Sequence, residues 1–444
     1  MKLRIVCLVL TALYITFFHY IYITWGVRYW NLGLTFDPVL GLSFLGVFLS
    51  LIYVFLTSTS LKNIGAFIVE AHFIIIILPA MLVLPMQDYP PKQRLTLMLS
   101  LFFGQLILKA ISRLRIGTVT ITKDSNLNSK VMRNFVLGLT FALLIYLIVA
   151  YFPYMKLHAL DDVHSYRAQV SQAVSAPLIG YVLGFLQITA APVLLSIGIF
   201  TRRRFLVAVA IAISLIIYMA VGAKIALAQI LLTMAFAVIT RQSKTLTILP
   251  LYVMFTVLLA VNAIIIALGA AERGVGLEAS AVIFMRSFAL QSAQIGIYYD
   301  FFLEHVNTYY SHLNIFRLIL DYPYQDSLGI TIGNFMGAGG KMNANAGFWA
   351  TDGLAAADIT GLFIIAVIFG VVIVYMKFLL PPSMTPVAAC ATLPFLMACA
   401  NGSLFTNLLS GGGIFLMLWV RFLLKPSLSE NGDSATTTGK TVDA

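Results

Sequence analysis

Long apolar segments alternate with short polar ones along most of the chain. Twelve of the apolar segments approach or reach the length of about 20 residues that a helix needs to cross roughly 30 Å of hydrocarbon. The pattern therefore predicts twelve transmembrane helices, at residues 5–25, 38–57, 64–85, 95–112, 134–152, 176–200, 205–221, 225–240, 246–268, 354–376, 385–401 and 411–424. Only Val221 to Lys224 separates the seventh from the eighth, so these two are also compatible with one long kinked helix.

The composition places the chain among polytopic membrane proteins. Hydrophobic residues make up 60% of its 444 residues and charged residues only 10%, whereas soluble domains carry about 25% charged residues. We therefore predict an all-α bundle in which residues 1–426 form one integral membrane domain. The first apolar segment is too long for a signal peptide and lacks a small-residue cleavage site, so we expect it to remain as the first span. Residues 427–444 are rich in Ser, Thr and Gly and predict a disordered cytoplasmic tail.

The charged residues predict the orientation of the bundle. The net charge is +11, but the basic residues are spread over short loops without a dense patch, which argues against a nucleic-acid partner. Two basic loops, Arg202–Arg204 and Arg241–Lys244, lie on the same side as Lys2 and Arg4. Lysine and arginine mark the cytoplasmic side of short loops. Both termini are therefore predicted in the cytoplasm, and the long segment from about 270 to 353 is predicted to face outward.

The sequence predicts neither a metal site nor a cofactor. Cys7, Cys390 and Cys399 lie inside apolar segments, without the spacing of a disulfide or a thiol metal site. The histidines show neither an i, i+4 pair nor a familiar cluster with carboxylates. Glu70, His72 and His19 lie within predicted spans, where ionisable groups usually pair. We expect these three either to form a hydrogen-bonded set between helices or to line a path.

The segment 270–353 is the only long stretch between two spans that is not itself a credible span. Within it, Ala279 to Tyr299 is apolar at helical spacing but is interrupted by Arg286 and two glutamines. This pattern predicts an amphipathic helix that lies at the outer interface or dips into it. An unpaired guanidinium inside an apolar stretch is costly. Arg286 is therefore either a clamp for a diphosphate, to which its planar donor fork is suited, or a snorkelling interface residue.

Other charged residues have both functional and structural interpretations. Lys224 could bind a substrate phosphate, pair with a loop carboxylate or anchor a helix end. Asp352 could act as a base in glycosyl transfer or cap the tenth span, whose N-terminal amides favour an anion. Asp358 lies between one and two turns further into that span, where a cap explains it less well, and it too could be the base or electrostatic partner in glycosyl transfer. His305 and His312 would share one face of a helix, and each could be a general base or simply be solvated.

The run Asn-Ala-Asn-Ala-Gly-Phe-x-x-x-Asp-Gly-x-Ala, from Asn343 to Ala355, leads directly into a predicted span. It resembles the end of the large periplasmic loop in bacterial oligosaccharide repeat-unit polymerases, the O-antigen polymerase family. The Arg286 stretch with the Tyr298-Tyr299 pair after it, the Val221–Lys224 corner and the plan of about a dozen spans are also similar to that family. Asp358 departs from it, because small or aromatic residues are expected there.

The resemblance implies a glycosyl transfer at the periplasmic face of the bacterial inner membrane. A glycan on undecaprenyl diphosphate moves onto a hydroxyl of the next lipid-linked repeat unit. The implied partners are this lipid-linked oligosaccharide, the bilayer and a chain-length regulator. The implied site residues are Arg286, Arg317 and Lys224 for the diphosphate, Asp352 and His305 for the base, and Asn343, Asn345 and Tyr299 for other substrate contacts.

Three other functions remain open. O-antigen ligase shares the donor and the outer-loop plan, so the sequence separates it poorly from a polymerase. A GT-C type lipid-phosphate-sugar glycosyltransferase usually has an acidic pair in its first outer loop, where this chain offers only Asp37; Asp161 and Asp162 follow in the third. A lipid-linked oligosaccharide flippase or other transporter would be expected to show two repeated halves with matching broken spans, which this sequence does not show.

Overall fold

The computed structural model of the protein describes residues 2–114, 117, 126–157, 166, 170, 173–174, 176–241, 246–272, 274–313, 316–340, 342–345 and 348–424. The predicted tail at 427–444 lies outside these ranges, as do Asp161 and Asp162. Within them the chain is helical apart from its connections and one isolated antiparallel bridge between Ser60 and Thr247.

Eleven helices in the described ranges are long and apolar enough to cross a membrane. In chain order they are α1 (Lys2–Thr24), α3 (Ile64–Met86), α4 (Pro91–Ser112), α5 (Lys130–Tyr154), α6 (Ile179–Phe200), α7 (Arg204–Val221), α8 (Lys224–Arg241), α9 (Leu249–Ala267), α12 (Trp349–Leu379), α13 (Pro382–Ala400) and α14 (Leu404–Leu423). A shorter apolar helix, α2 (Leu40–Leu56), has 17 residues. Between α9 and α12 lie α10, with the contiguous segments Gly274–Ser280, Ala281–Ala289 and Leu290–Glu304, and α11 (Leu328–Phe335).

These spans confirm the predicted polytopic helix bundle. α7 and α8 are separate helices, because Gly222 adopts a left-handed backbone conformation (φ 62°) and ends α7. The most apolar stretch of α3 is wholly buried, whereas only 22% of the corresponding stretch of α5 is buried. A helix that is apolar on every face suits the centre of a bundle. α3 is therefore the central helix, and α5 lies at the periphery.

The bundle has two ends, which we call the loop face and the opposite face. At the loop face, α1 leads into the 3-10 turn Gly26–Leu32, and Arg28 forms an ion pair with Glu272. The Gln87 side chain, just after α3, donates a hydrogen bond to Gly33 O there at 2.8 Å. The loop Arg202–Arg204 between α6 and α7 lies at the opposite face.

α10 enters the bundle instead of lying on it. Its middle residue Phe288 packs edge-on against Tyr14 of α1 with ring centroids 5.8 Å apart. Gln291 donates a hydrogen bond to Ile75 O, midway along α3. Gly296, further along, again contacts the α3–α4 connection at the loop face. The predicted helix is thus present in its dipping form. Its part Ala281–Ala289 is amphipathic, with Phe284 and Phe288 buried and Arg286 exposed, whereas Leu290–Glu304 is buried on most sides because neighbouring spans surround it.

α12 is not one straight span. Ala357 and Asp358 have non-helical backbone angles, and Asp358 has a φ of +54°. A Cβ atom built on Gly361 would lie 2.0 Å from the carbonyl oxygen of Gly353. Residues eight apart in a straight helix are separated by about 12 Å. The chain therefore reverses at this point, and residues 348–356 form a half-helix that lies against the span that follows.

The half-helix starts deep inside the bundle. The Trp349 side chain is fully buried, and its indole N–H donates to His72 of α3. Its ring fills the space beside Gly104 of α4. The sequence predicted a single span at 354–376, because the apolar residues on both sides of Asp358 read as one run, and it left residues 348–353 in the preceding loop.

The reversal deprives backbone carbonyls of their helical partners, and the segment 307–309 supplies the missing donors. It donates hydrogen bonds to the carbonyl oxygens of residues 354–356. The Thr308 amide, for example, donates to Ala355 O at 2.7 Å. Irregular backbone at membrane depth is tolerated only where such groups are paired or line a cavity. The long segment is therefore bound to the broken helix and does not float above the bundle.

Gly361→Ala is expected to disrupt this hairpin, because the added Cβ atom must displace the Gly353 backbone. Overpacking of this kind costs about 1–3 kcal/mol or more. The variant should unfold at a lower temperature than the wild type in detergent. Gly138→Ala in α5 is the matched control, since nothing lies within 4 Å of its Cβ position. An unchanged unfolding temperature for Gly361→Ala would contradict the backbone contact.

Candidate functional site

A cavity of about 570 Å³ lies at the loop face between α10 and the irregular chain 342–345. Its lining consists of Tyr29, Leu32, Ala281, Met285, Arg286, Leu290, Gln294, Met342, Asn343, Ala344, Asn345 and Asn401. One of these side chains is charged and four are amides, which both donate and accept hydrogen bonds. A cavity of this size with a few convergent polar groups is suited to a small polar ligand.

Arg286 supplies the only charge in this lining. It lies in the wide-turn segment Ala281–Ala289, which buries Phe284 and Phe288 on the side facing α1 and leaves Arg286 exposed on the cavity side. In the described part of the chain no carboxylate lies within 4 Å of its guanidinium. An unpaired guanidinium offers two parallel donors to a phosphate or carboxylate. The cavity therefore favours an anionic ligand.

Asn343 and Asn345 face the cavity from a stretch that is held on both sides. The Tyr298 hydroxyl donates to Ala344 O at 2.9 Å, and the Ala344 amide donates to Gly329 O at 2.8 Å. A Cβ atom on Gly329 would lie 1.8 Å from Asn343 Oδ1 and 3.1 Å from Asn345 Cβ, so a larger residue there would displace the Asn343 side chain. These contacts fix the backbone that presents the two asparagines.

The Tyr298-Tyr299 pair does not lie at the surface. Tyr298 is 1% exposed and Tyr299 is 8% exposed, because α10 is buried. Tyr299, the predicted substrate contact, does not line the cavity. Tyr298 supports the cavity wall instead, through its hydrogen bond to Ala344 O. The sequence could not show which of the two tyrosines is near the cavity, because they are adjacent in one apolar stretch.

Asp352 is buried behind the cavity wall. Its Oδ2 atom accepts hydrogen bonds from the Ser403 hydroxyl at 2.9 Å and the Leu404 amide at 2.8 Å. It therefore caps the N-terminus of α14 and not that of its own helix, which differs from the cap expected from the sequence. Ser403 follows Asn401 by two residues, so Asp352 also holds the turn that carries one wall of the cavity. Its predicted role as a base stays a prediction.

His312, and not His305, lies beside Asp352. The Thr308 hydroxyl donates to Ala355 O at 2.9 Å, so the His312 Nδ1–H must donate to Thr308 Oγ1 at 2.7 Å. Its Nε2 atom faces Asp352 Oδ1 at 3.9 Å. Burial, aided by nearby Arg317, lowers the pKa of His312 to about 4, so the imidazole is neutral at neutral pH.

His305 is exposed at the end of α10 and stacks on the Phe301 ring, with centroids 4.0 Å apart. Residues 305–313 are not helical, so His305 and His312 do not share a helix face. Both histidines lie in one polar stretch of the sequence. They differ in that His312 contacts the broken helix through Thr308. Of the two histidines that the sequence offered as general bases, His312 and not His305 is therefore the one beside Asp352.

The two other predicted diphosphate ligands lie outside the cavity lining. Lys224 Nζ forms an ion pair with Glu278 Oε2 at 2.9 Å, as one of its structural interpretations anticipated. The Arg317 guanidinium lies 4.3 Å from the centre of the Tyr322 ring, and its Nε–H donates to Ser311 O at 3.1 Å. Both cations thus have intramolecular partners, and their substrate roles stay predictions.

Two of the three intramembrane polar residues form the expected hydrogen-bonded set between helices. Glu70 pairs with Lys109 of α4 at 3.0 Å, and His72 bonds to Gln105 of the same helix at 2.7 Å. His19 is separate, because its Nδ1 atom bonds to Ile15 O within α1.

No family model, no curated protein and no solved structure matches this chain. Its function therefore has to be argued from the geometry of its own residues. In the described ranges no three His, Cys, Asp or Glu side chains lie close enough together to hold a metal ion. The chemistry offered by the cavity is that of one guanidinium, four amides, the phenol of Tyr29 and an apolar wall.

The buried His312 predicts a contribution to stability that is lost in acid. Its pKa is about 4 in the folded protein and about 6.5 in an unfolded chain, so at this residue the unfolded chain binds more protons between these values. The contribution of His312 to the free energy of unfolding should fall as the pH drops from about 6.5 toward 4, by on the order of 2 kcal/mol at pH 5. The difference between the wild type and His312→Gln in thermal unfolding in detergent, compared at pH 7.5 and pH 5, measures this contribution.

His312→Gln should remove that part of the pH dependence, whereas His305→Gln, which changes an exposed histidine, should keep it. A slope for His312→Gln as steep as that of the wild type would show that His312 is not held neutral in the fold.

Proposed function

We propose that this chain joins lipid-linked oligosaccharide repeat units into a surface polysaccharide, with undecaprenyl diphosphate as the carrier. The observation that carries the proposal is the unpaired Arg286 in a cavity walled by amides at the loop face. The basic loops at the opposite face favour a cytoplasmic position for that face. The loop face is then periplasmic, in the inner membrane of a bacterium. The shorter helix α2 also crosses the membrane, which brings the number of spans to twelve. A chain-length regulator remains a proposed partner.

The reaction needs a stabilised leaving group and a positioned acceptor. An acceptor hydroxyl attacks the anomeric carbon, the bond from that carbon to the diphosphate oxygen breaks, and the hydroxyl proton is lost. Arg286 is placed to hold the diphosphate, whose negative charge grows as the bond breaks. Gln294, Asn343, Asn345 and Asn401 are placed to bind sugar hydroxyls, while Met285 and Leu290 offer an apolar side to the lipid.

The cavity lining contains neither a carboxylate nor a histidine. The phosphate oxygens held by Arg286 are therefore the basic atoms nearest to the acceptor, and we propose that they take the hydroxyl proton. Asp352 then acts by holding the turn at Asn401 and the start of α14. O-antigen ligase would use the same donor and the same Arg286 contact, so only the product separates the two reactions.

The break in α12 favours a second candidate, a flippase or transporter for the same lipid-linked oligosaccharide. Discontinuous helices whose ends point at a substrate are typical of transporters. The half-helix 348–356 begins just after Asn343 and Asn345, which line the cavity. In that case the chain would move the oligosaccharide across the membrane without extending it.

Arg286→Ala should abolish long glycan chains. Removal of one hydrogen-bond donor that stabilises charge developing in the transition state typically lowers the rate by a factor on the order of 100–1,000. Arg286→Lys should restore activity only in part, because lysine lacks the paired donors. The measurement is the glycan profile of cells that lack this chain and carry each variant at matched membrane level. Arg203→Ala, at the opposite face, is the control and should give the wild-type profile.

The pattern of loss distinguishes the candidates. Single repeat units attached without long chains support polymerisation, and loss of all attached repeats supports ligase or flippase activity. Full-length chains with Arg286→Ala would contradict its role in the site. An intact ladder that lacks one side-branch sugar in the deletion strain would instead indicate a decorating glycosyltransferase.

Asp352→Asn and Asp352→Ala separate a structural role from a base. Asparagine keeps an acceptor for Ser403 and Leu404, so we expect near wild-type stability and chain length. Alanine leaves the buried Leu404 amide unpaired, which costs about 1–3 kcal/mol, and should lower the unfolding temperature. Loss of long chains in Asp352→Asn with unchanged stability would instead support a base.

A further inference from the structure

A chain of buried hydrogen bonds runs from α4 to the half-helix 348–356. Gln105 Nε2 donates to the Tyr53 hydroxyl at 2.9 Å and to Val69 O at 3.0 Å. Its Oε1 atom is therefore the acceptor for His72 Nδ1 at 2.7 Å. On the other side of the ring, His72 Nε2 accepts from the indole N–H of Trp349.

These contacts assign one form of His72. Nδ1 must carry a hydrogen because the Gln105 oxygen can only accept, and Nε2 must be free of one because the Trp349 N–H can only donate. The imidazole is thus neutral and is used at both nitrogens. All three side chains are fully buried, so water does not replace either bond.

An ion pair fixes the other end of this chain. Lys109 Nζ lies 3.0 Å from Glu70 Oε1 and 2.7 Å from Thr57 Oγ1. It also lies 4.1 Å from the centre of the Tyr53 ring. These contacts join α2, α3 and α4 around His72. The three helices therefore hold the imidazole that accepts the hydrogen bond from Trp349.

We propose that His72 is a positioning residue for the cavity, acting through Trp349. Trp349 follows Asn345 by only four residues, so the half-helix anchors the C-terminal end of the stretch that carries Asn343 and Asn345, while Tyr298 and Gly329 hold Ala344 in its middle. The ring of Trp349 packs beside Gly104, and its indole N–H donates to His72 at the centre of the bundle. This inference deepens the proposed function and rests on it, since it assumes that the two asparagines bind substrate.

The test uses the full chain purified in detergent and two measurements. The first is binding of geranylgeranyl diphosphate, a short prenyl diphosphate. The second is the rate at which a maleimide labels Asn343→Cys, which reports the position of the cavity wall without any ligand. The native cysteines Cys7, Cys390 and Cys399 are buried, which keeps the background low.

Trp349→Phe keeps the ring but removes the N–H, and His72→Leu removes both hydrogen bonds. Each should weaken binding of the prenyl diphosphate about 10-fold and change the labelling rate by a similar factor. The double variant should be no worse than either single one, because both break the same contact. His72→Gln, which keeps one donor and one acceptor, should restore most of both values.

Trp419→Phe is the matched control. Its indole N–H is also buried and donates to Thr140 Oγ1 at 3.3 Å, but far from the cavity lining. It should leave binding and labelling unchanged, even if it lowers the unfolding temperature. If Trp349→Phe is too unstable to purify, His72→Leu and His72→Gln give the same comparison.

The two measurements separate the two hypotheses. Labelling rates that match the wild type in Trp349→Phe and His72→Leu overturn the inference, whatever the binding result. Changed labelling rates in both variants support the positioning role. If Arg286→Ala and the wild type then bind the prenyl diphosphate equally well, or if neither binds it, the proposed function is contradicted while the positioning role stands. A changed labelling rate in Trp419→Phe would also overturn the inference, since the effect would then be general.

Discussion

Three consecutive carbonyls, those of residues 354–356, lose their helical partners where α12 reverses. No water is available at membrane depth to replace those partners, and an unpaired carbonyl there costs several kcal/mol. Residues 307–309 supply the donors, so a part of the long segment must dock for the hairpin to form. The broken helix and the segment that covers it are therefore one folding unit.

Because this segment is docked, the cavity wall is joined to the helices of the bundle by hydrogen bonds and is not a free loop. Thr308 bonds both to the broken helix and to His312, and His312 faces Asp352 of the half-helix. Asp352 in turn holds the turn after Asn401, which lines the cavity. A wall built this way cannot shift without breaking buried hydrogen bonds. It is thus already organised before a ligand arrives, which lowers the free-energy cost of binding.

Local patterns predicted much of this structure, because span length and apolarity are properties of short stretches. These patterns predicted the helical spans, a helix that dips into the bundle at α10, and Arg286 as the charged residue within it. They did not predict the reversal at Ala357 and Asp358, since that run contains no proline, and isolated Gly353, Asp358 and Gly361 are each also compatible with a continuous span. The reversal depends on Gly353, Gly361 and the donors at 307–309, which meet only in three dimensions. The choice of His312 over His305 depends on the same contact.

Three basic residues near the loop face have carboxylate partners, and Arg286 does not. Arg94, 2% exposed, binds Asp37, while Arg28 binds Glu272 and Lys224 binds Glu278. Arg286 lies two helical turns from Glu278 on the same helix, yet that carboxylate is taken by Lys224. In the described part of the chain, Lys92, Lys156 and Arg317 also lack an ion pair, but they do not line the cavity. Its place in the cavity beside four amides is therefore what makes Arg286 the cation suited to an anion from outside the chain.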